Sequence, residues 1–327
     1  MFRLKIFSFN HLLISTKYAK IDIIKLSVKK ALKERNMSVL IFDSNCELWH
    51  TRAEELGLDY IPMPYIYNGE EYYYDLGKNT DFKKFYNAVR EGAVPKTMAL
   101  NPENYKDILK PYFEKGEDVL YVSFSHKMSG TFDSLDIALK ELKEKYPERK
   151  CTVFDTHAIS IGALPMVEAA ADLKAKGKSD EEIVEFLNDF TNKVSVYFIV
   201  DDLMHLKRGG RLSATAAVAG TVLNLKPVLT FDEEGGLSVI EKVMGKRKAM
   251  RKLAEKVAEG LTHPEYKVYV ADADCPEDGK LLADMIREKC PNATVVNQTI
   301  GPVIGSHCGP DTLAVCFIAD RRPIPLK

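Results

Sequence analysis

No two cysteines in this 327-residue chain are spaced C-x-x-C, and the six present (Cys46, Cys151, Cys275, Cys290, Cys308 and Cys316) are scattered over its length. That pattern excludes a small disulfide scaffold and fits reduced thiols in a cytoplasmic protein. A zinc site made from Cys275, Cys290 and a distant histidine lacks the close ligand pairs of structural zinc sites, so no metal is expected. No stretch approaches the roughly 18 uninterrupted apolar residues that a spanning helix needs. A net charge of −1 gives no electrostatic reason to expect nucleic acid as a partner. The common catalytic signatures are missing too: there is no H-E-x-x-H, no G-x-S-x-G and no G-x-G-x-x-G. Gly177-Lys178-Ser179 resembles the end of a P-loop, but Asp172 stands where the first glycine belongs and the segment ends a helical pattern instead of following a strand.

What is present is an ordinary globular balance, 46% hydrophobic and 28% charged. Its distribution is uneven. Residues 1–36 hold nine basic and two acidic residues, a net +7 that leaves −8 for the remainder. Without a clear apolar block and cleavage site this is a poor signal peptide, and the segment is expected to be a basic extension outside the fold. Met37-Ser38-Val39-Leu40-Ile41-Phe42-Asp43-Ser44 reads as the opening strand of a domain.

From there β-rich runs alternate with helical patterns, the signature of an α/β protein. Apolar runs at 39–42, 119–124 and 151–154 predict buried parallel strands. The run 60–67 also looks extended, but Pro62 and Pro64 predict an edge or a strand-like loop. Ser179 and Glu182 form a capping box, followed by Ile183, Phe186, Leu187 and Phe190 on one apolar face. The helix before it is predicted to run from Pro165 to Lys176 and stop at Gly177. A second unit is expected from about Val194, giving a first α/β domain at 37–193 and a second, mixed α/β domain at 194–327. Within it, strands at 196–200, 227–231 and 237–243 are expected, the last two joined by the turn Asp232-Glu233-Glu234-Gly235-Gly236. Ser213 is placed to cap an uncharged run at 212–225, an ordinary buried helix or the wall of an apolar tunnel.

Four segments carry more. They are Pro95-Lys96-Thr97; Ser123-Phe124-Ser125-His126-Lys127-Met128-Ser129-Gly130-Thr131-Phe132; the stretch from Phe198-Ile199-Val200-Asp201-Asp202-Leu203 through Lys207-Arg208-Gly209-Gly210-Arg211-Leu212-Ser213 to Asn224-Leu225-Lys226-Pro227; and Ile300-Gly301-Pro302-Val303-Ile304-Gly305-Ser306-His307-Cys308-Gly309-Pro310. In this order and spacing the chain resembles the DegV family, whose members bind long-chain fatty acids. The resemblance covers residues 37 to about 319.

It implies a two-domain fold with one acyl chain held between the domains, no other cofactor, and a partner kinase that phosphorylates the bound carboxyl for phospholipid synthesis. Thr97 and Ser129 match the family's two hydroxyl positions at the carboxyl, and His307 matches a histidine beside it. Hydroxyl donors would offset the desolvation of a buried carboxylate without a salt bridge. Taken alone, Thr97 reads as a turn residue, Ser129 as a helix N-cap and His307 as a loop histidine satisfied by backbone. Ser125 and Ser306 are secondary candidates for the ligand site. Lys207, Arg208 and Arg211, around the Gly-Gly turn before Ser213, form either a solvated basic turn or a contact for the acyl phosphate or for the kinase. Met98 and Asp311 depart from the family pattern, where Ser and Gly are usual. A competing enzyme hypothesis, a hydrolase or acyltransferase, would use Ser129 or Cys308 with His307, and a third is a lipid-responsive regulatory protein with no kinase partner. About fifteen methylenes at about 0.8 kcal/mol each would make the tail the dominant source of affinity.

Overall fold

The structure is a computed structural model that describes residues 38–212 and 224–327. The basic segment 1–36, Met37, and Ser213 with most of the uncharged run lie outside the described residues. Among those described the strands are β1 (Val39–Asp43), β2 (Asp59–Ile61), β3 (Pro64–Tyr67), β4 (Glu70–Tyr73), β5 (Lys96–Thr97), β6 (Val119–Ser123), β7 (Cys151–Asp155), β8 (Val194–Ile199), β9 (Leu225–Phe231), β10 (Leu237–Met244), β11 (Val268–Asp272), β12 (Val295–Thr299) and β13 (Leu313–Ile318).

The three apolar runs do form a parallel sheet, in the order β2-β1-β6-β7. β1 and β6 sit in its middle and are buried along nearly their whole length, which is why they read as continuous apolar runs without alternation. The extended run near Tyr60 is two strands, not one. Pro62 falls between them: β2 is the edge of the parallel sheet, while β3 is the centre of a small antiparallel sheet, β4-β3-β5. Pro64 is tolerated there because it opens its strand, where its carbonyl accepts from the Met98 amide at 3.3 Å.

A six-stranded sheet, β10-β9-β8-β13-β11-β12, occupies the second half of the chain. It is antiparallel except for the β11–β12 pair. Its two faces are separated by strict alternation. On β8 and β13, Val196, Phe198, Ala314 and Cys316 belong to a core continuous with the first sheet. Ile199, Leu313, Val315 and Phe317 point the other way, beneath the helices Lys246–Gly260 and Pro276–Lys289. The surface between the two units is therefore core-like and apolar, and the cavity described below lies in it.

The helical expectations fare similarly. The capping box is formed, with the Ser179 amide donating to Glu182 at 2.8 Å and the Glu182 amide donating to Ser179 Oγ at 3.3 Å. Ile183, Leu187 and Phe190 are buried behind it, but Phe186 is 37% exposed and stacks on Phe190 from outside. The preceding helix, Leu164–Ala175, is followed by Gly177 at φ 78°, in the left-handed region that glycine tolerates best. His307 is not on a loop. It occupies the last turn of a helix, Pro302–Cys308, which Gly301 and Pro302 open in the manner of an N-cap and N1 pair.

Candidate functional site

A cavity with about 870 Å³ of empty space lies where the carboxyl ends of β1, β6 and β7 meet the inner face of the six-stranded sheet. Ligands of open α/β sheets collect at that edge. Its walls are mostly apolar: Phe124, Ile159 and Ile161 from the first unit, Val196, Phe198 and Phe231 from the second.

Polar side chains gather at one end. Thr97, on β5, hydrogen-bonds through Oγ1 to His307 Nε2 at 2.8 Å. Burial, and next the neighbouring Arg211, push the His307 imidazole down to about 4, so it is neutral near pH 7. A helix C-terminus would favour the cation; here desolvation and the guanidinium outweigh it. If the neutral ring carries its proton on Nε2 and gives it to Thr97, the Thr97 proton is free to point at a ligand. The ring sits hard against the Gly-Gly turn, where a Cβ on Gly209 would fall 2.2 Å from His307 Nδ1. Glycine is required there for close approach.

Ser129 lines the same end. Its Oγ accepts from the Thr131 amide at 3.2 Å, at the start of the helix Thr131–Lys145. It thus satisfies a helix-start amide, as an N-cap would, and keeps its own proton to donate.

Arg211, which the sequence groups with Lys207 and Arg208, lines the cavity wall. Its Nε and Nη2 donate to the Met128 carbonyl at 3.0 and 2.9 Å, and Nη1 donates to the Gly209 carbonyl. These bonds fasten the Ser129 turn to the Gly209 turn and leave two of five N–H donors for something else. No carboxylate of the described residues forms an ion pair with it. Desolvation depresses its pKa, as expected for a half-buried cation without an anion.

The secondary candidates do not reach the cavity. Ser125 Oγ donates to the Gly235 carbonyl at 2.9 Å, tying the first unit to the β9–β10 turn. Ser306 Oγ donates to the Pro302 carbonyl at 2.7 Å, one helical turn back. Ser306 and Arg208 instead line a second hollow with Lys96 and His205, which shares Thr97, Arg211 and His307 with the first. Those three residues are the partition between cavity and hollow, and no acidic side chain of the described residues lines the hollow. Lys207 is exposed. Neither Ser129 nor Cys308 hydrogen-bonds to His307, whose Nε2 is engaged by Thr97. Burial also pushes the Cys308 thiol up to about 12, so neither Ser129 nor Cys308 is activated by His307. They hold no cluster of three metal-ligating side chains either.

Both departures noted in the sequence have a structural reading. Met98 lines the cavity and adds apolar surface where a hydroxyl would add polarity. Asp311 adopts φ 63°, a backbone suited to the glycine usual there, and its carboxylate accepts from Arg90 Nη2 at 3.2 Å across the two units. Sequence reasoning missed Asn45 and Ser160 in the cavity wall. The available signal was position, just beyond the carboxyl ends of β1 and β7.

Residues 38–320 match the model of the DegV family, described as uncharacterised proteins. The chain belongs to the DegV family. A DegV domain-containing protein of Clostridium perfringens is 38% identical over 285 residues, 87% of this chain and 98% of that protein. One from Lactococcus lactis is 33% identical, covering 77% of this chain and 88% of the relative. Among solved structures, a fatty-acid-binding DegV family protein from Thermus thermophilus superposes with a TM-score of 0.76 at 29% identity, covering 86% of this chain and 99% of the other. The fatty-acid-binding DegV protein of Bacillus subtilis gives 0.74 at 27% identity, with 86% and 99% covered. The DegV architecture, a parallel sheet facing a second sheet, is therefore the fold of this chain. Among its described residues no helix is long and apolar enough to cross a membrane.

Proposed function

We propose that this DegV-family chain is a cytoplasmic carrier that encloses one long-chain fatty acid and presents its carboxyl group to a partner kinase. The observation that carries the reading is a mostly apolar cavity where a guanidinium without an acidic partner among the described residues stands beside two hydroxyls and a neutral imidazole. A carboxylate answers all four groups. Arg211 supplies the charge, Thr97 and Ser129 supply O–H donors, and His307 orients Thr97. The fatty-acid-binding relatives from Thermus thermophilus and Bacillus subtilis support the ligand class.

Purified protein is expected to release about one long-chain fatty acid per chain on denaturing extraction. Thr97→Val and Ser129→Ala are each expected to weaken rebinding by roughly tenfold, the effect of one lost hydrogen bond to a charged group. Extracts without fatty acid, together with a melting temperature that added acid leaves unchanged, would refute the carrier reading.

Presentation to a kinase is supported by the outer hollow. Lys96 and Arg208 stand on the far side of the partition, a basic approach to a carboxylate that must accept a phosphoryl group. Arg208→Ala is expected to preserve lipid binding and to lower acyl-phosphate formation severalfold in a reconstituted assay with a fatty acid kinase and ATP. Unchanged turnover would leave Arg208 a solvated surface residue. Binding of fatty acid with no turnover in the wild type would favour the lipid-responsive regulator instead.

A further inference from the structure

Asn45 is a polar residue of the cavity wall that the reading above does not use. Asn45 is 3% exposed, lines the cavity, and its Oδ1 has no hydrogen-bond partner among the described residues. Its backbone is fixed: the Asn45 amide donates to Asp43 Oδ1 at 2.9 Å in the short 3-10 turn Ser44–Cys46 that follows β1. Glu47, two residues on, accepts from the Gly301 amide, which opens the helix carrying His307 at its other end. Six residues at 1.5 Å each separate Gly301 from His307, so the Glu47 contact and the Thr97 contact lie on the order of 9 Å apart along that helix. Ser160, whose hydroxyl bonds to Glu47, lines the cavity as well.

A saturated hydrocarbon passing this point would leave the Asn45 carboxamide unpaired in an apolar enclosure, which is unfavourable. A hydroxyl would not. It both donates and accepts, so it satisfies the amide whichever way Oδ1 and Nδ2 face, and it fits better than a keto group, which only accepts. We propose that the cavity is a site for acyl chains bearing a mid-chain hydroxyl, which Asn45 recognises by hydrogen bonding. The proposal rests on the carrier reading and adds the chemical class of chain.

The test is titration of delipidated protein with stearic acid and with 10-hydroxyoctadecanoic acid, in the wild type, Asn45→Leu and Asn45→Ala. The wild type is expected to bind the hydroxy acid roughly tenfold more tightly than stearate, and Asn45→Leu to reverse the preference, because the buried hydroxyl then has no partner. Asn45→Ala, which cannot overfill the site, is expected to lose the preference and serves if the leucine variant does not fold. The same ratio of the two affinities in all three proteins, as an ordered water satisfying Asn45 would give, overturns the proposal. Binding of neither acid to the wild type would overturn the carrier reading itself, a result distinct from tight binding without discrimination.

Discussion

Arg211→Ala is expected to weaken long-chain fatty-acid binding by roughly one to two orders of magnitude, the effect of removing a charge-assisted contact from a partly buried carboxylate. The sequence, which groups Arg211 with Lys207 and Arg208, leads to the opposite expectation: intact lipid binding with only the kinase step impaired. The structure distinguishes them by geometry. Lys207 is exposed, whereas the Arg211 guanidinium is pinned by two bonds to the Met128 carbonyl and one to that of Gly209, beside His307. The control is a ligand without charge. Wild type should favour palmitic acid over hexadecanol strongly, and in the alanine variant that discrimination should collapse while hexadecanol affinity changes little. Arg211→Lys keeps the charge but not the two-point hold on Met128, so it should fall between. Full affinity for palmitate in Arg211→Ala, with the melting temperature of the stripped protein unchanged, would show that the hydroxyls hold the carboxyl alone.

The contrast between these expectations shows what the sequence could and could not convey. β1 and β6 were legible because a strand buried on both faces must be apolar along its length. The capping box was legible because it is local, closed within four residues. β4 and β5 were not, since four exposed or half-exposed residues and a two-residue strand leave no periodic pattern to detect. Thr97 and His307 could be named from the family motifs, but their 2.8 Å contact spans 210 positions and arises only when β5 packs near the helix Pro302–Cys308. Arg211 is the sharper case. Lys207 and Arg208 just before it are basic and exposed, so local composition suggests a surface turn, whereas the Met128 carbonyl 83 positions away draws it inward. Asn45 carried no compositional signal at all, because a small polar residue after a strand is what any turn would show.

The second large effect concerns Glu47, a carboxyl that is 0% exposed and adopts φ 54°. Its two oxygens accept from Ser160 Oγ and the Gly301 amide, its carbonyl accepts from Gln298, and no basic side chain of the described residues pairs with it. Burial pushes it up to about 8, against the smaller opposing pull of the Ser160 and Gly301 hydrogen bonds. The folded protein therefore keeps a proton near pH 7 that the unfolded chain releases around its ordinary value of 4.5. Between those two values the native state binds more protons than the unfolded state, so stability falls as pH rises through the window, by up to about 1.4 kcal/mol per unit. Glu47→Gln mimics the protonated acid and removes this dependence. The variant should match the wild type near pH 5 and exceed it near pH 9 by roughly 3–5 kcal/mol, measured by urea denaturation at each pH. His307 acts oppositely, since its lowered pKa gives stability that is lost as pH falls from 6.5 toward 4. That contribution is common to both proteins and cancels in their difference, as does the raised Asp43. Parallel stability curves for the two proteins would mean that Glu47 is ionised in the fold. A gap opening above pH 5 would identify it as a neutral carboxylic acid joining the wall that holds Ser160 to the helix that carries His307.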